Sequence, residues 1–349
     1  MLVRKTIIGI ILLVLTGIGI AFWGYQNAFE KMNFPNQTES KIVTIPQGSL
    51  LPQISKILAD SLILEDEFWF ELSVKISKKA PEFKAGTFRF EQGKTNQELI
   101  ETLVSGKQVL VKVTLPEGTT YKQIAKIFQK ELGLDSEKII GLCEDSTFLR
   151  ELEIPQKNVE GFLLPETYFF PKSLTEKEAI KFLVQEQKKF WEKNYLSETL
   201  SLRLKLSKNE ILTLASIIEG EAIIDSERTT ISGVYVNRLE KGIKLQADPT
   251  IQYILPDAPK RLLFKDLKID SPYNTYLYKG LPPAPINNPG KNSILAALNP
   301  KKIPFIYFVA TGDGGHTFTK TLKEHLKAKE KFDAVRRKVA REKRRKNRP

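Results

Sequence analysis

The segment from Thr6 to Tyr25 constrains the chain most strongly, because its twenty residues contain no charged side chain and are almost wholly apolar. A helix of that length spans about 30 Å, the thickness of the hydrocarbon core of a bilayer. Arg4 and Lys5 precede it, and the positive-inside rule places such residues in the cytoplasm. We therefore expect a single-pass anchor in the inner (cytoplasmic) membrane at residues 6–25, a cytoplasmic N-terminus, and the rest of the chain outside that membrane.

A cleaved signal peptide is the alternative interpretation of this segment. The apolar region of a signal peptide is normally about 7–15 residues long. The candidate cleavage site at Gly19-Ile-Ala21 is followed by the bulky Phe22 and Trp23. Trp23 and Tyr25 also lie where an interfacial aromatic belt forms at the end of a transmembrane helix. A retained anchor is therefore favoured.

The composition limits the cofactors and partners. Cys143 is the single cysteine and the chain has two histidines, so the sequence offers neither a disulfide framework nor the ligand spacing of a structural zinc. We expect no metal and no cofactor.

The net charge is +13, and residues 318–349 hold fourteen Lys and Arg against four acids. Outside the cytoplasm such a basic tail has no nucleic acid to bind. It is expected to be solvated or disordered, or to contact anionic lipid or peptidoglycan carboxylates.

Shifts in composition divide the chain into segments with different expected roles. The predicted boundaries are an anchor at 1–25, a polar linker at 26–40, a small mixed module at 41–107, a larger mixed domain at 108–326 and the basic tail at 327–349. Strand-like alternation and helical spacing occur in both folded parts. The predicted fold class is therefore α+β, with one transmembrane helix, a small subdomain and a larger domain.

Two local signals predict helices with definite ends. In the small module, Thr95 is a candidate N-cap, Glu98 follows three residues later, and Gly106 is expected to end the helix. In the larger domain, the pattern predicts a helix from about Tyr121 to Glu131 and another from about Ser226 to Lys241.

The segment ILTLASIIEGEA at 211–222 predicts a central helix with two acids near its end. Its apolar residues recur at helical spacing and define one buried stripe: Ile211, Leu214, Ala215, Ile218 and Ala222. At about 100° per residue, Glu219 and Glu221 flank that stripe on opposite sides. Helical geometry alone does not decide which of them lines a cleft. Gly220 between them indicates close backbone approach by another element.

Further segments follow this helix in a fixed order: QADPT at 246–250, SPYNTY at 271–276, GLPPAPINNPG at 280–290 and GDGGHTF at 312–318. Together with PEG at 116–118 and EGFLLPETY at 160–168, they resemble the MltG/YceG-like endolytic murein transglycosylases. The resemblance implies that residues 41–107 form a LysM-like subdomain and that the catalytic acid is the second acid of the E-x-E pattern, Glu221. It also implies cleavage of peptidoglycan glycan strands near the membrane, with peptidoglycan synthases as candidate partners.

A transglycosylase of this kind needs one carboxyl group. The muramyl sugar supplies its own O6 hydroxyl as nucleophile, so the acid that protonates the leaving oxygen can afterwards act as base. A carboxylic acid that donates a proton near neutral pH needs a raised pKa, and the apolar neighbours Ile217 and Ile218 are suited to raising that of Glu221. The expected product carries 1,6-anhydro-muramyl ends.

Several polar and aromatic side chains are candidates for substrate binding, and each has a structural alternative. The candidates are Glu166, Glu219, Gln246, Asp248, Thr250, Gln252, Tyr273, Asn274, Thr275, Tyr276 and His316. Glu219 is expected to be held by local hydrogen bonds, and His316 more often to be a hydrogen-bonded structural histidine than a ligand. Two other functions remain open: a muramidase that pairs Glu221 with Asp248, and a non-catalytic wall-binding scaffold.

Overall fold

The computed structural model describes residues 2–37, 39–194, 204, 206–255 and 261–346. These residues form an α+β structure that divides into two compact units. Unit 1 comprises residues 1–112 and 169–175, and unit 2 comprises 113–168 and 176–349. The boundary falls about five residues later than the predicted one at 107/108.

Unit 1 packs helices around one small antiparallel sheet. Its helices are α1 (Leu2–Tyr25), α2 (Leu51–Asp60), α3 (Glu67–Ser77) and α4 (Asn96–Ser105), with short helical turns at Gln26–Glu30 and Ala80–Glu82. Strands β1 (Ser40–Ile45) and β2 (Gly86–Glu91) pair in a register that runs from Ser40 opposite Glu91 to Ile45 opposite Gly86. One apolar cluster, which includes Leu58, Phe70, Phe88 and Leu103, fills the space between sheet and helices.

The predicted capped helix is confirmed. The Thr95 hydroxyl accepts a hydrogen bond from the Glu98 backbone, and the Glu98 carboxylate accepts one from the Thr95 backbone, so the capping box is complete at the start of α4. Gly106 is the C-cap. The signal for this helix is contained within four residues, which is why sequence alone locates it.

The structure corrects the prediction that residues 26–40 form a linker. The helical turn Gln26–Glu30 continues directly from α1, and Ala28 within it is buried. The Asn33 side chain donates to the Asn96 side chain at 3.0 Å and accepts from the Glu65 backbone at 3.0 Å. The polar composition that suggested a linker instead supplies hydrogen bonds to the body of unit 1.

Unit 2 is mostly helical. Its helices are α5 (Tyr121–Leu132), α6 (Ser136–Glu144), α7 (Ser146–Glu151), α8 (Glu176–Asn194), α9 (Lys208–Glu221), α10 (Arg228–Glu240), α11 (Asp248–Ile254), α12 (Lys291–Leu298) and α13 (Leu322–Lys346). Strands β5 (Tyr307–Ala310) and β6 (His316–Thr319) pair within this unit. Strand β3 (Leu110–Thr114) pairs with β4 (Thr167–Pro171), and both strands run across the division between the two units. Short 3₁₀ turns lie at Asp225–Glu227 and Asp266–Lys268.

Helix α9 is the centre of unit 2. It packs against α10, α11 and α12, and every residue from Ile211 to Ile218 is buried. The single buried stripe predicted from the sequence therefore underestimates the burial, because neighbouring helices cover α9 on all sides. Both ends of α9 reach the surface, and the two acids lie at its C-terminal end.

The basic tail forms a helix, which corrects the expectation of a disordered extension. Helix α13 runs from Leu322 to Lys346 and packs along β5 and β6, with His325, Ala328 and Phe332 partly buried on one face. The predicted start of the tail at 327 lies inside this helix. Residues 347–349 of the tail lie outside the described residues.

Candidate active site

A cleft of about 1030 Å³ lies in unit 2 beside the C-terminal end of α9. Its lining residues come from the loop before α5, from α5, from α9 and α11, and from the segments around Glu160, Tyr273 and Asn287. This volume is at the upper end of the range of about 300–1,000 Å³ usual for ligand pockets. Two of the predicted site acids, Glu221 and Asp248, line this one cleft.

Glu221 is the last residue of α9, and its partly accessible side chain faces the cleft. Burial raises the pKa of the Glu221 carboxyl to about 7, and the neighbouring charge of Asp248 adds to this increase. The hydrogen bond from Tyr235 and the positive charge of Arg238 oppose it. A carboxyl group with this pKa holds its proton in a substantial fraction of molecules at neutral pH, as a general acid requires.

Tyr235 orients the Glu221 carboxyl. Its hydroxyl donates a hydrogen bond to Glu221 Oε1 at 2.8 Å, and its ring is buried in α10. The sequence analysis predicted a helix here but assigned no role to Tyr235. A signal was present, because a buried tyrosine normally needs a partner for its hydroxyl.

Gly220 permits the close approach that its position suggested. A Cβ atom at this residue would lie 2.5 Å from Pro249 Cβ, well inside van der Waals contact. Pro249 is in the first turn of α11, directly after Asp248. The absence of a side chain at Gly220 thus brings α11, and with it Asp248, against the end of α9.

Asp248 is held by an aromatic partner. The Tyr276 hydroxyl donates to Asp248 Oδ1 at 2.5 Å. Gln252 lies one turn further along α11 and also lines the cleft. The structure thus brings together three of the predicted candidates, Asp248, Gln252 and Tyr276, next to Glu221.

Aromatic rings line the cleft beyond Asp248. Tyr273, a predicted candidate, lies with its ring centroid 5.0 Å from that of Tyr253, and both residues line the cleft together with Tyr121. Tyrosines combine a planar apolar face with a hydroxyl group, a combination that suits a sugar ring. The sequence analysis used Tyr121 only as the start of a predicted helix and did not consider Tyr253.

Glu160 lines the cleft and is almost fully buried, with 1% of its surface exposed. Its Oε1 accepts hydrogen bonds from the Tyr121 backbone at 3.1 Å and from the Asn288 side chain at 2.8 Å, while Oε2 has no hydrogen-bond partner among the described residues. Burial raises the pKa of Glu160 to about 8. Asn288 also accepts from the backbones of Gly161 and Leu163, and so joins two segments more than a hundred residues apart.

Three predicted candidates lie beneath the cleft surface. Thr250, Asn274 and Thr275 are buried, at 0%, 0% and 2% exposure. The hydroxyls of Thr250 and Thr275 bond to each other at 2.9 Å, and Asn274 donates to two backbone carbonyls in its own loop. This corrects the expectation that they contact sugar, because their polar groups are occupied in holding α11 and the 271–276 loop together.

Glu219 is likewise engaged inside the protein. Its carboxylate accepts from Arg228 at 3.1 Å and from the Gly290 backbone at 2.9 Å, at the N-terminus of α12. Arg228 also bonds to Asp225 and Ser293. The expected hydrogen bonding is present, but its partners are distant in sequence rather than local.

The other three candidates lie outside the cleft lining. Glu166 forms an ion pair with Lys291 at 2.7 Å. His316 Nδ1 lies 2.7 Å from Glu227 Oε2, and its side chain is 9% exposed, in keeping with the structural alternative. Gln246 is exposed with a positive φ of 50°. Among the described residues, no group of three or more His, Cys, Asp or Glu side chains is arranged to hold a metal ion.

Fold and site together define an α+β protein with an acid-bearing cleft lined by tyrosines, the architecture expected of a glycan-cleaving enzyme. Residues 43–331 match the model of the YceG-like family. The chain belongs to this family. The resemblance noted in the sequence is thereby confirmed.

Similar proteins carry a functional name. The chain is 38% identical over 330 residues to the endolytic murein transglycosylase of Bacillus subtilis (strain 168), an alignment that covers 90% of this chain and 91% of the relative. A protein of the same name from Streptococcus pneumoniae serotype 2 (strain D39 / NCTC 7466) is 28% identical, with 85% of this chain and 59% of the relative covered. A 2.6 Å crystal structure of a yceG-like protein from Listeria monocytogenes is 34% identical with a TM-score of 0.58, covering 83% of this chain and 99% of that one.

Proposed function

We propose that this protein is a membrane-anchored lytic transglycosylase that cleaves the bond between N-acetylmuramic acid and N-acetylglucosamine within peptidoglycan glycan strands. Glu221 is the catalytic acid and base. The observation that carries the proposal is the position of Glu221, whose carboxyl group faces the cleft with a pKa raised to about 7. The relatives named endolytic murein transglycosylases support the reaction class.

The proposed reaction needs no water. Protonated Glu221 donates its proton to the glycosidic oxygen as the bond from that oxygen to the muramyl C1 breaks. The muramyl O6 hydroxyl then attacks C1, and the Glu221 carboxylate accepts the O6 proton, which restores the acid. The products are a free 4-hydroxyl on N-acetylglucosamine and a 1,6-anhydro-muramyl end.

The surroundings of Glu221 suit both steps. Burial keeps the proton on the acid before cleavage, while Tyr235 and the charge of Arg238 stabilise the carboxylate formed afterwards. Because Tyr235 bonds to Oε1, we propose Oε2 as the oxygen that transfers the proton. Tyr235 acts through Glu221 and is therefore a positioning residue.

In this proposal, a membrane anchor holds the enzyme near the membrane. Helix α1 is long and apolar enough to span a bilayer, with a mean hydropathy of 2.4 within Thr6–Glu30. A single-pass anchor with its N-terminus in the cytoplasm would confine cleavage to strands near their site of synthesis. In this proposal the enzyme terminates glycan elongation and works beside peptidoglycan synthases, and residues 41–107, the LysM-like part, serve as a platform or glycan-binding module.

A muramidase is the second candidate reaction, because Asp248 lines the same cleft as Glu221. In that mechanism Asp248 would act as nucleophile or activate a water molecule. The short hydrogen bond from Tyr276 occupies one oxygen of Asp248 and leaves the other available. The names of the relatives favour the lyase and leave the non-catalytic scaffold without support.

Product analysis tests the proposal. We would incubate the full chain in detergent with sacculi and with freshly polymerised uncrosslinked glycan, and identify the new ends by mass spectrometry. Anhydro-muramyl ends are expected from the wild type and from Asp248→Asn, and Glu221→Gln should abolish them. Glu192→Gln, an exposed carboxylate on α8, is the matched control. Reducing ends that disappear with Asp248→Asn would establish the muramidase instead.

A further inference from the structure

Helix α3 is apolar on two faces. Its inner face places Phe70 and Val74 in the core of unit 1, each with 0% exposure. Its outer face carries Phe68, Leu72 and Ile76 at positions i, i+4 and i+8, with Trp69 beside them. Phe68 is 66% exposed and Ile76 is 57% exposed. We call Phe68, Trp69, Leu72 and Ile76 the α3 stripe, and such clustered apolar exposure marks an interaction surface.

The α3 stripe begins at the level of the end of α1. The rings of Trp69 and Trp23 meet edge to face with their centroids 5.3 Å apart, and Trp23 lies in the last turn of α1. Phe68 also contacts Trp69, at 5.2 Å between ring centroids. If α1 spans the bilayer from Thr6, Trp23 lies where hydrocarbon meets headgroups. Trp69 then lies at the same depth.

Contacts between the segment after α1 and the rest of unit 1 fix this placement. The Asn96 side chain in α4 donates to the Ala28 carbonyl at 3.1 Å, and the Asn33 side chain donates to the Lys94 carbonyl at 2.9 Å. Lys31 pairs with Glu65, just before α3, at 3.5 Å. The end of the anchor is therefore part of unit 1, and α3 keeps its position relative to α1.

We infer that the α3 stripe lies in the interfacial region of the same bilayer that α1 crosses. This inference rests on the proposed membrane anchoring. Phenylalanine and tryptophan partition into the boundary between headgroups and acyl chains, and apolar helix faces embed there by about 5–10 Å. Asp66 and Glu67 lie at the start of α3, and Lys78 and Lys79 follow its end, so its charges favour neither anionic nor cationic headgroups. The α3 stripe therefore binds the boundary between headgroups and acyl chains, and unit 1 lies on the membrane surface.

The three tryptophans of the chain are Trp23, Trp69 and Trp191, and they provide the probes. We would prepare full-length variants that each retain one tryptophan, with the other two replaced by phenylalanine, and reconstitute them into phosphatidylcholine vesicles. Some vesicles carry a quenching label high on the acyl chain and others carry it near the bilayer centre. Trp191 is buried in unit 2, at 4% exposure, and serves as the control that no lipid should reach.

We expect the shallow label to quench the emission of the variant that retains only Trp69 more than the deep label does. Neither label should quench the variant that retains only Trp191. In the variant that retains only Trp69, the further changes Phe68→Ser and Ile76→Ser should shift the emission of Trp69 to longer wavelength and reduce its quenching. Quenching of Trp23 without quenching of Trp69 would overturn the inference and leave the anchor intact. If Trp23 is not quenched, the anchoring proposal fails and the inference falls with it.

Discussion

At the scale of single residues, the site depends on what surrounds each carboxyl group. Glu219 and Glu221 are two residues apart on α9, yet Arg228 and the start of α12 hold the first, while the second faces the cleft beside Tyr235. The hydrogen bond from Tyr235 spans 14 positions and that from Gly290 spans 71. These partners could not be deduced from helical angles, which treat the two acids alike. The resemblance to a family was needed to choose between them.

Replacement of Tyr235 and replacement of Asp248 should shift the pH dependence of cleavage in opposite directions. Burial is the main cause of the raised pKa of about 7, so kcat/KM should fall as pH rises through about 7, where the acid loses its proton. Tyr235→Phe removes a hydrogen bond that lowers this pKa, and the decline should move to higher pH. Asp248→Asn removes a charge that raises the pKa, and the decline should move to lower pH.

Rate profiles from pH 5 to 9 on uncrosslinked glycan would check this prediction. Tyr235→Phe should also lower the plateau, by roughly tenfold, because the acid loses its orientation. Glu192→Gln should leave both the plateau and the pH of the decline unchanged. Parallel shifts in Tyr235→Phe and Asp248→Asn would contradict the assigned causes.

Glu160 should make the protein less stable as pH rises. Burial raises its pKa to about 8 in the folded state, compared with about 4.3 in an unfolded chain. Below the lower value both states are protonated and its contribution to stability is complete. Between the two values the unfolded state releases its proton first, so stability is lost up to about pH 8.

Urea unfolding of wild type and Glu160→Gln at pH 5 and pH 8 measures this loss. The wild type should lose roughly 1–4 kcal/mol more than the variant over this interval, since each unit of pKa difference corresponds to about 1.4 kcal/mol. Glu192→Gln should follow the wild type. Identical slopes for wild type and Glu160→Gln would show that Glu160 is solvated in the folded protein.

At the scale of helices, local signals predicted boundaries and long-range contacts determined function. The helix expected from about Tyr121 to Glu131 is observed at Tyr121–Leu132, because its N-cap Thr120 and its C-cap Gly133 adjoin it in sequence. By contrast, Thr250 and Thr275 are 25 positions apart and bond to each other beneath the cleft. A polar run in the sequence does not reveal such a pairing, so these residues were assigned to the sugar-binding surface.

The contact between α9 and α11 should be sensitive to a single methyl group. Gly220→Ala places a Cβ atom 2.5 Å from Pro249 Cβ, so the helices must separate. We expect a loss of roughly 1–3 kcal/mol of stability, typical of overpacking. Cleavage should also decrease, because the change displaces Asp248 from Glu221.

Gly141→Ala is the matched control. This residue lies inside α6, and a Cβ atom there would meet nothing within 4 Å. Alanine should increase stability by about 0.5–1 kcal/mol through its better helix propensity. Urea denaturation of both variants provides the comparison, and equal effects would show that α9 and α11 do not touch at Gly220.

At the scale of the whole molecule, the segment that follows α1 is part of the compact unit 1. A polar composition between two apolar segments predicts a linker, but residues 26–37 are used as structure: Asn33 bonds to Glu65 and Asn96, and Asn96 bonds to the Ala28 carbonyl. The sequence could not show this because the partners lie 32 to 68 positions away. Residues 26–37 are therefore part of the packing of unit 1 rather than a tether.

Two truncations test whether this segment belongs to the fold. A chain that begins at Gln26 lacks α1 but keeps the partners of Asn96, whereas a chain that begins at Lys41 leaves the buried amide of Asn96 without them. An unsatisfied buried polar group costs about 1–3 kcal/mol. We expect the Lys41 chain to melt at lower temperature and its amides in β1, β2 and α4 to exchange faster, while those in α9 exchange equally in both chains.

The exchange rates of α9 serve as the internal control, because unit 2 is the same in the two chains. If β1, β2 and α4 were equally protected in both chains, residues 26–40 would contribute nothing to the stability of unit 1.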